Sequence, residues 1–408
     1  MNQYESQMIR EGFIDNGYLE SDGMDNADIV VVNTCNVTST SESKSLRLIK
    51  NAVKKGKFVV ATGCVIEDKD LDLSRLAGVN LIVSNKDKHK IPLILSKKQV
   101  IHEEPVIINN FHGHNRAFVK IQDGCDNVCS YCKVRIVRGA SRSRVLNDII
   151  KEVSILIDSG FKEIVLTGIC MGAYGLDLDP KKDLCGLIRR ICSVEGDWRL
   201  RLSSIEPKYI TDDMIDLFLE QQKICRHLHL PFQSGDDFIL KMMQRPYSGG
   251  DYLKIVKKIR SKIPDIAIST DIMVGFPGET DSNFDNTVKF LEEVRPMRMH
   301  IFPFSGRKGT TAYNYRDSAE KDIKRQRESI LIKLADGLSF EFLNAFIGKE
   351  ARILVENKRT KEGYLQGYTD RYIKVYIEGN DTLKNNFLNC PLTLTNSKVH
   401  GILPIYLS

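Results

Sequence analysis

Cys125, Cys129 and Cys132 stand in a Cys-x-x-x-Cys-x-x-Cys spacing. Three thiolates in so short a segment are metal ligands by type and by distance along the chain, but the set is incomplete. A structural zinc site closes with a fourth ligand at comparable spacing, and so does an electron-transfer cluster. A 4Fe–4S cluster held by only three thiolates keeps one iron open to bind and activate a small molecule. That is the favoured reading, with zinc as the alternative. Tyr131, directly before the last cysteine, offers an aromatic wall beside such a centre. A second pair, Cys35 and Cys64, each follows a β-branched run, Asp28–Asn33 and Phe58–Thr62. Both fall at the carboxyl edge of one parallel sheet, where open α/β domains bind ligands.

The remaining thiols and imidazoles have plainer readings. Cys170 could approach the site as a replacement ligand, although a small buried side chain explains it as well. Cys185, Cys192, Cys225 and Cys390 sit in helix or strand patterns as core or surface thiols. His227 and His229 alternate along a strand, which fits hydrogen-bonded core residues, and His112 and His114 lie in a polar loop without carboxylate or cysteine partners for a metal. Arg138, Arg142 and Arg144 form a basic run beside the cysteine loop, which would neutralise phosphates if a nucleic acid binds there and is otherwise a solvated face.

Three kinds of segment must position these residues. Residues 1–100 alternate buried strands (Asp28–Asn33, Phe58–Thr62, Val79–Ser84) with a helix at Ser41–Lys54 that Ser41, Ser43 and Ser45 can cap. This predicts an open α/β sheet, preceded by a polar helix-like segment at Asn2–Gly12. Residues 111–343 repeat strand and helix six times, with strands at Phe118–Ile121, Glu163–Thr167, Trp198–Ser203, His227–Pro231, Ile268–Val274 and Arg298–Phe304. Six right-handed βα units predict a complete or partial TIM-like barrel, an open sheet being the alternative, with the ligand site at the strands' carboxyl ends. A charged helix, Ser318–Ala345, leads to residues 344–408, read as a small all-β barrel with strands at Ala351–Glu356, Gly363–Tyr368, Tyr372–Ile377 and Pro391–Val399. Its Lys349, Arg352, Lys358, Arg359, Lys361, Arg371 and Lys374 predict a basic face of the kind that binds nucleic acid, a neutral packing domain being the alternative.

Composition bounds the rest. The 408 residues are enough for two or three cores, and 42% hydrophobic with 27% charged residues excludes wholesale disorder. Lys and Arg exceed Asp and Glu by 59 to 53, a mild basic excess that permits a polyanionic partner without demanding one. The longest apolar run, Phe58–Ile66, is too short to span a bilayer and the first residues lack a signal-peptide layout. The expectation is a cytoplasmic protein with no membrane partner, whose ten cysteines are ligands, catalytic thiols or core residues rather than a disulfide framework.

The run Lys120-Ile-Gln-Asp-Gly-Cys-Asp-Asn-Val-Cys-Ser-Tyr-Cys132 closely resembles the cluster loop of the radical S-adenosylmethionine methylthiotransferases. The resemblance continues through Val32-Asn-Thr-Cys-Asn-Val-Thr38, Thr62-Gly-Cys64, Leu166-Thr-Gly168 and Arg201-Leu-Ser-Ser-Ile-Glu-Pro207. It extends to His229-Leu-Pro-Phe-Gln-Ser-Gly235, Asp271-Ile-Met-Val-Gly-Phe-Pro-Gly-Glu-Thr280 and Phe302-Pro-Phe-Ser305. Asn2-Gln-Tyr-Glu-Ser6, Ile121-Gln-Asp-Gly-Cys125 and Arg201-Leu-Ser-Ser204 look most like the branch acting on N6-threonylcarbamoyladenosine at tRNA position 37.

The resemblance implies a cluster on Cys125, Cys129 and Cys132 whose open iron chelates S-adenosylmethionine, and a TRAM-like RNA-binding tail. One-electron reduction by a low-potential donor such as flavodoxin would release a 5′-deoxyadenosyl radical, which abstracts hydrogen from C2 of the modified adenosine. Sulfur insertion and a second S-adenosylmethionine would complete the product. Thr167, Gly168, Ser203, Glu206, Gln233, Arg245 and Asp271 are the candidates for holding the cofactor, and the tRNA anticodon loop is the expected partner. Three N-terminal cysteines hold a second 4Fe–4S cluster in the family; Cys35 and Cys64 are two of them, and the third would stand just before Asn2. Met1 is therefore expected to be an internal methionine of a longer chain or a truncated start, the alternative being a protein without the second cluster. Rival activities are methylthiolation of isopentenyladenosine-37 or of a ribosomal-protein aspartate, and a non-catalytic iron–sulfur RNA-binding role.

Overall fold

The computed structural model describes residues 1–36, 38–97, 107–111, 113–315, 319–395 and 398–401. Near the N-terminus, strands Ile29–Thr34, Phe58–Gly63 and Leu81–Ile82 pair in parallel in that order. The third is shorter than the Val79–Ser84 run predicts. Helix Ser39–Lys54 lays Leu46, Ile49 and Ala52 on Val32, Val59 and Ala61. Its cap is Thr38, whose hydroxyl accepts from the Ser41 N–H at 3.1 Å, not one of the three serines. Ser45 is diverted: its Oγ accepts from the Cys35 N–H at 3.2 Å. The polar opening segment is a helix, Asn2–Asp15, which buries Ile9 against Val60, Val83 and Ile91.

Six parallel strands follow: Ala117–Asp123, Glu163–Gly168, Arg199–Leu202, His227–His229, Ala267–Val274 and Arg298–Pro303. They pair in chain order, the third and fourth through single bridges Leu200–Ile224 and Ser204–His229. The first carries Arg142–Ser143 on its outer edge instead of pairing with the sixth, so the barrel is partial. Connecting helices run Leu146–Asp158, Leu184–Cys192, Asp212–Glu220, Gly249–Lys262 and Asp281–Val294. A short helix the sequence reading missed, Asp237–Met242, starts where Asp236 accepts from the Ile239 N–H at 3.0 Å. Helix Lys321–Asn344 packs on the sixth strand; the expected start at Ser318 lies outside the described residues.

Alternation along these strands sorts two faces. Val119, Ile121, Ile164, Leu166, Leu200, Leu202, Leu228, Ile268, Ile272 and Met299 join the core under the helices. Their neighbours turn into the lumen, and most are polar: Lys120, Gln122, Glu163, Thr167, Arg199, Arg201, His227, His229, Ser269, Asp271, Arg298 and His300.

The tail is a closed barrel of Glu350–Arg359, Leu365–Thr369, Lys374–Ile377, Phe387–Thr395 and Lys398–Gly401. The run read as one strand, Pro391–Val399, belongs to two antiparallel strands. The barrel closes the amino end of the lumen. Glu163, fully buried, takes Arg116 at 3.1 Å, Arg199 at 2.6 Å and Arg201 at 2.7 Å. Arg199 then donates to the Tyr368 carbonyl at 2.9 Å, and Arg201 to those of Asp370 and Thr369 at 2.8 and 3.1 Å. The Arg201 guanidinium lies 3.9 Å from the Tyr372 ring centroid. One member of the expected basic face is spent on this contact: Arg371 pairs with Asp265 and Asp370, whereas Arg352 pairs with Asp197 and stays exposed. Lys349, Lys358, Arg359 and Lys361 stay exposed. Among the described residues, no helix is long and apolar enough to cross a membrane.

Burial alone would raise the Glu163 carboxyl, but the three guanidiniums hold it far below the usual carboxylate range. Its stabilisation is therefore complete above an ordinary carboxyl pKa of about 4.3 and is lost as pH falls toward the depressed folded value. Glu163→Gln, which leaves three guanidiniums short of their counter-charge, is expected to cost about 3–5 kcal/mol at pH 7. Urea denaturation of both proteins at pH 7 and pH 3 checks this; equal midpoints at pH 7 would remove Glu163 from the account.

Candidate cluster and cofactor site

The cysteine loop leaves the carboxyl end of the first barrel strand through Gly124, at φ +73°, where an added Cβ would sit 1.9 Å from the Ala140 carbonyl oxygen. Only glycine makes that turn. Beyond it the loop is tied down at several points. The Cys125 N–H donates to the Gly139 carbonyl at 3.1 Å, the Ser130 N–H and hydroxyl to the carbonyls of Met243 and Met242 at 3.1 and 2.8 Å, and the Ala312 N–H to the Ser130 carbonyl at 2.7 Å. Tyr131 packs with Ile239, Met243, Met273, Phe276 and Phe304, which gives the apolar wall expected of it.

Each of the three sulfurs has an N–H donor. Asn127 N–H reaches Cys125 Sγ at 3.4 Å, Val134 N–H reaches Cys132 Sγ at 3.5 Å and Arg245 Nη1 reaches Cys129 Sγ at 3.4 Å. Such donors favour thiolate character. The Cys125 thiol is lowered to about 7, chiefly by a hydrogen bond from the Cys170 thiol, while burial pushes Cys132 up to about 12. The three sulfurs do not lie within 4.8 Å of one another as a group. Tetrahedral zinc would need S···S separations of about 3.8 Å. As placed, the three thiols are not closed around a single ion.

The expected cofactor residues fall into two groups around this loop. Arg245 is buried and forks onto Glu206 at 3.1 and 2.5 Å, with Tyr247 donating to the same carboxylate. Because Arg245 also meets Cys129, this pair stands directly beside the loop. Gln233 sits at φ +69°. Its buried Oε1 and the Arg245 Nε have no partner, which leaves an acceptor and a donor for a polar ligand to satisfy. Ser203 Oγ lies 3.8 Å from Met171 Sδ, and Thr167 Oγ1 accepts from the Met1 amino group at 3.2 Å. Gly168 lets Gln122 approach: an added Cβ would meet Gln122 Oε1 at 3.1 Å, the atom that accepts the Cys170 N–H at 2.8 Å. Asp271 accepts the Gln233 N–H on its carbonyl at 2.8 Å, while its carboxylate is bound by His229 at 3.3 Å and His300 at 3.1 Å.

A pocket of ≈ 270 Å³ opens between the loop and the second strand, lined by Asp126, Asn127, Ser141, Cys170, Lys208 and Tyr209. Gln122, Asn127, Lys208 and Tyr209 were missed from sequence. Gln122 could have been found, since strand alternation places it on the lumen face one turn of the pleat from Lys120.

The arginines after the loop overturn an expectation. Arg138 and Arg144 do not face solvent for phosphates. Arg138 binds Glu5 at 2.8 and 3.1 Å and Asp123 at 3.0 Å, and its Nε reaches Cys64 Sγ at 3.2 Å. Arg144 binds Glu152 at 2.7 Å, Tyr4 Oη at 3.1 Å and the Lys120 carbonyl at 2.7 Å. Only Arg142 of the three is exposed. Both buried arginines are consumed in seating the N-terminal helix on the barrel. Burial would raise the Glu5 carboxyl, but Arg138 and Lys88 hold it down at about 2. Lys133 with Asp68 at 2.6 Å and Arg307 with Glu42 at 2.6 Å and the Asn36 carbonyl at 2.9 Å continue the seam. Cys64 is thereby brought against the cluster-loop side of the barrel. Cys35 and Cys64 are the two thiols that the sequence reading assigns to a second cluster. His112 lies outside the described residues, and His114 rests edge-on against Phe111 at 6.3 Å.

Comparison with known proteins agrees with this geometry. Residues 119–291 match the Radical SAM superfamily, and residues 1–84 match a family described as uncharacterized protein family UPF0004. The chain is 35% identical to a Bacillus subtilis protein named threonylcarbamoyladenosine tRNA methylthiotransferase MtaB, over 94% of this chain and 89% of that one. A Thermotoga maritima protein of the same name is 37% identical over 93% and 89%. A Clostridium botulinum tRNA-2-methylthio-N(6)-dimethylallyladenosine synthase is 34% identical over 97% and 93%. Among solved structures, the radical S-adenosylmethionine methyltransferase TsrM from Kitasatospora setae shares the fold with TM-score 0.55 at 14% identity, covering 73% of this chain and 69% of that one. With the three-thiol loop, the partial barrel and relatives this similar along nearly the whole chain, the protein belongs to the radical S-adenosylmethionine methylthiotransferase family of enzymes.

Proposed function

We propose that this enzyme methylthiolates C2 of N6-threonylcarbamoyladenosine at position 37 of tRNA. The observation that carries the reading is the loop of three N–H-supported thiols beside the Glu206–Arg245 pair, set above a polar lumen. Cys125, Cys129 and Cys132 would hold a 4Fe–4S cluster, and family membership implies S-adenosylmethionine as its ligand. The chemistry these supply when bound is one-electron cleavage of the sulfonium, producing a radical that takes hydrogen from the target carbon.

The chain's own groups orient and shield. Arg245 and Glu206 would fix the amino-acid end of the cofactor, with Gln233 Oε1 and Arg245 Nε, unpartnered among the described residues, as hydrogen-bond positions. Thr167, Gly168 and Ser203 line the strand ends beside them. The wall of Tyr131, Met273, Phe276 and Phe304 excludes water from the reacting side. Two features support the threonylcarbamoyl substituent over the isopentenyl one. The first is the N-terminal and cluster-loop motifs. The second is the lumen, where Lys120 and Arg298 suit a carboxylate-bearing group better than a hydrocarbon. Lys349, Lys358 and Lys361 on the tail barrel and Arg142 by the loop offer phosphate contacts for the anticodon arm. A low-potential protein donor such as flavodoxin would supply the electron.

Anaerobically reconstituted protein, assayed on tRNA carrying either adenosine modification, is expected to methylthiolate the threonylcarbamoyl form selectively. Product from the isopentenyl form alone would transfer the assignment to that branch, and S-adenosylmethionine cleavage without any tRNA product would leave the substrate reading without support. Arg245→Met is expected to lower 5′-deoxyadenosine formation about ten- to a hundredfold, as loss of a group supporting a ligand typically does. Iron content measured alongside separates this from failure to hold the cluster.

A further inference from the structure

Toward the carboxyl ends of the barrel, three neighbouring strands bring His229, Asp271 and His300 together. The pairing register dictates the meeting: His300 stands directly opposite Asp271, and His229 opposite Ser269, one lumen position away. His229 Nε2 lies 3.3 Å from one oxygen of Asp271 and His300 Nδ1 3.1 Å from the other. The ligand atoms of all three residues fall within 4.8 Å of one another, and the imidazole rings are 5.6 Å apart and inclined by 31°.

We propose that His229, Asp271 and His300 bind one divalent first-row transition-metal ion, of the zinc or iron(II) class. Two imidazoles and a carboxylate converging from one side are the donor set such ions take, with coordination positions left open to the lumen. Three observations support it. The partly buried Asp271 carboxylate pairs, among the described residues, with the two imidazoles and with no lysine or arginine, so its charge is left for a cation to answer. The far nitrogen of His229, Nδ1, is anchored on Ser269 Oγ at 2.9 Å, and the same hydroxyl holds His227 Nε2 at 2.9 Å. A ligating histidine is typically oriented in this way by its other nitrogen. Finally, the site opens outward at His300, whose side chain is 60% exposed, so an ion has a route in. The other three-ligand group, Asp183, Cys185 and Asp213, is unlike it: its Asp213 is already neutralised by Arg189 at 2.5 Å.

The site is separate from the cysteine loop and does not depend on which substrate the enzyme takes. The test uses the full chain with its cluster reconstituted, equilibrated with Zn(II), desalted and measured for zinc and iron by mass spectrometry. One zinc per chain is expected in the wild type. His300→Ala and Asp271→Asn are each expected to reduce retained zinc at least about tenfold, with iron content unchanged. His300→Ala is the decisive variant because the exposed ring carries little of the fold, and its melting temperature is recorded beside the metal content. Wild-type protein that retains no zinc would leave the trio a hydrogen-bonded network and overturn the proposal. So would equal retention in His300→Ala, which would place the ion at the cysteines or at Asp183, Cys185 and Asp213.

Discussion

A carboxylate taken out of water must have its charge answered where it sits, and two such carboxylates organise this molecule. Glu163, at the amino end of the lumen, gathers Arg116, Arg199 and Arg201; Glu5, on the first helix, gathers Arg138 and Lys88. Neither charge could be buried alone, since the desolvation cost of an unpaired ion is several kcal/mol. The partners come from different segments, so satisfying the charge also docks the segments. Through Glu163 the tail barrel closes one end of the lumen. Through Glu5 the N-terminal sheet is pressed against the cysteine loop.

These two anchors bracket the chemistry. Arg138 touches Glu5, Asp123 and Cys64 at once, so the strand that launches the loop and the N-terminal cysteine share one guanidinium. Motion of the N-terminal sheet would therefore be felt at Asp123, two residues before Cys125. At the other side of the loop Arg245 does similar work between Glu206 and Cys129. The loop is held by charged groups at its rim and by Tyr131 in an apolar wall, a combination that fixes position while keeping water from the reacting face.

The lumen repeats the logic without an arginine at every carboxylate. A barrel of six strands turns half its strand residues inward, and here those residues are mostly polar, so they must find partners across strands. His227, Ser269, His229, Asp271 and His300 form one continuous hydrogen-bonded line over three strands. That line exists because parallel pairing places the strands in a register that neither strand specifies by itself.

Much of this was legible in the chain. The cysteine spacing needs no tertiary information, because three ligands within one loop meet by local geometry. The six strand–helix units could be read because alternation and helical periodicity are local signals, and Cys35 and Cys64 could be placed at a sheet edge for the same reason. What the sequence alone misread depended on partners far along the chain. Arg138 and Arg144 look like any basic pair beside a site, and only the fold sets Arg138 against Glu5, 133 residues away, and Arg144 against Tyr4, 140 away. Arg371 likewise reads as part of an exposed face until Asp265 comes to meet it. A charged side chain carries the same label whether it faces water or a buried counter-ion. The choice is made by which segments pack together, and that is decided only in three dimensions.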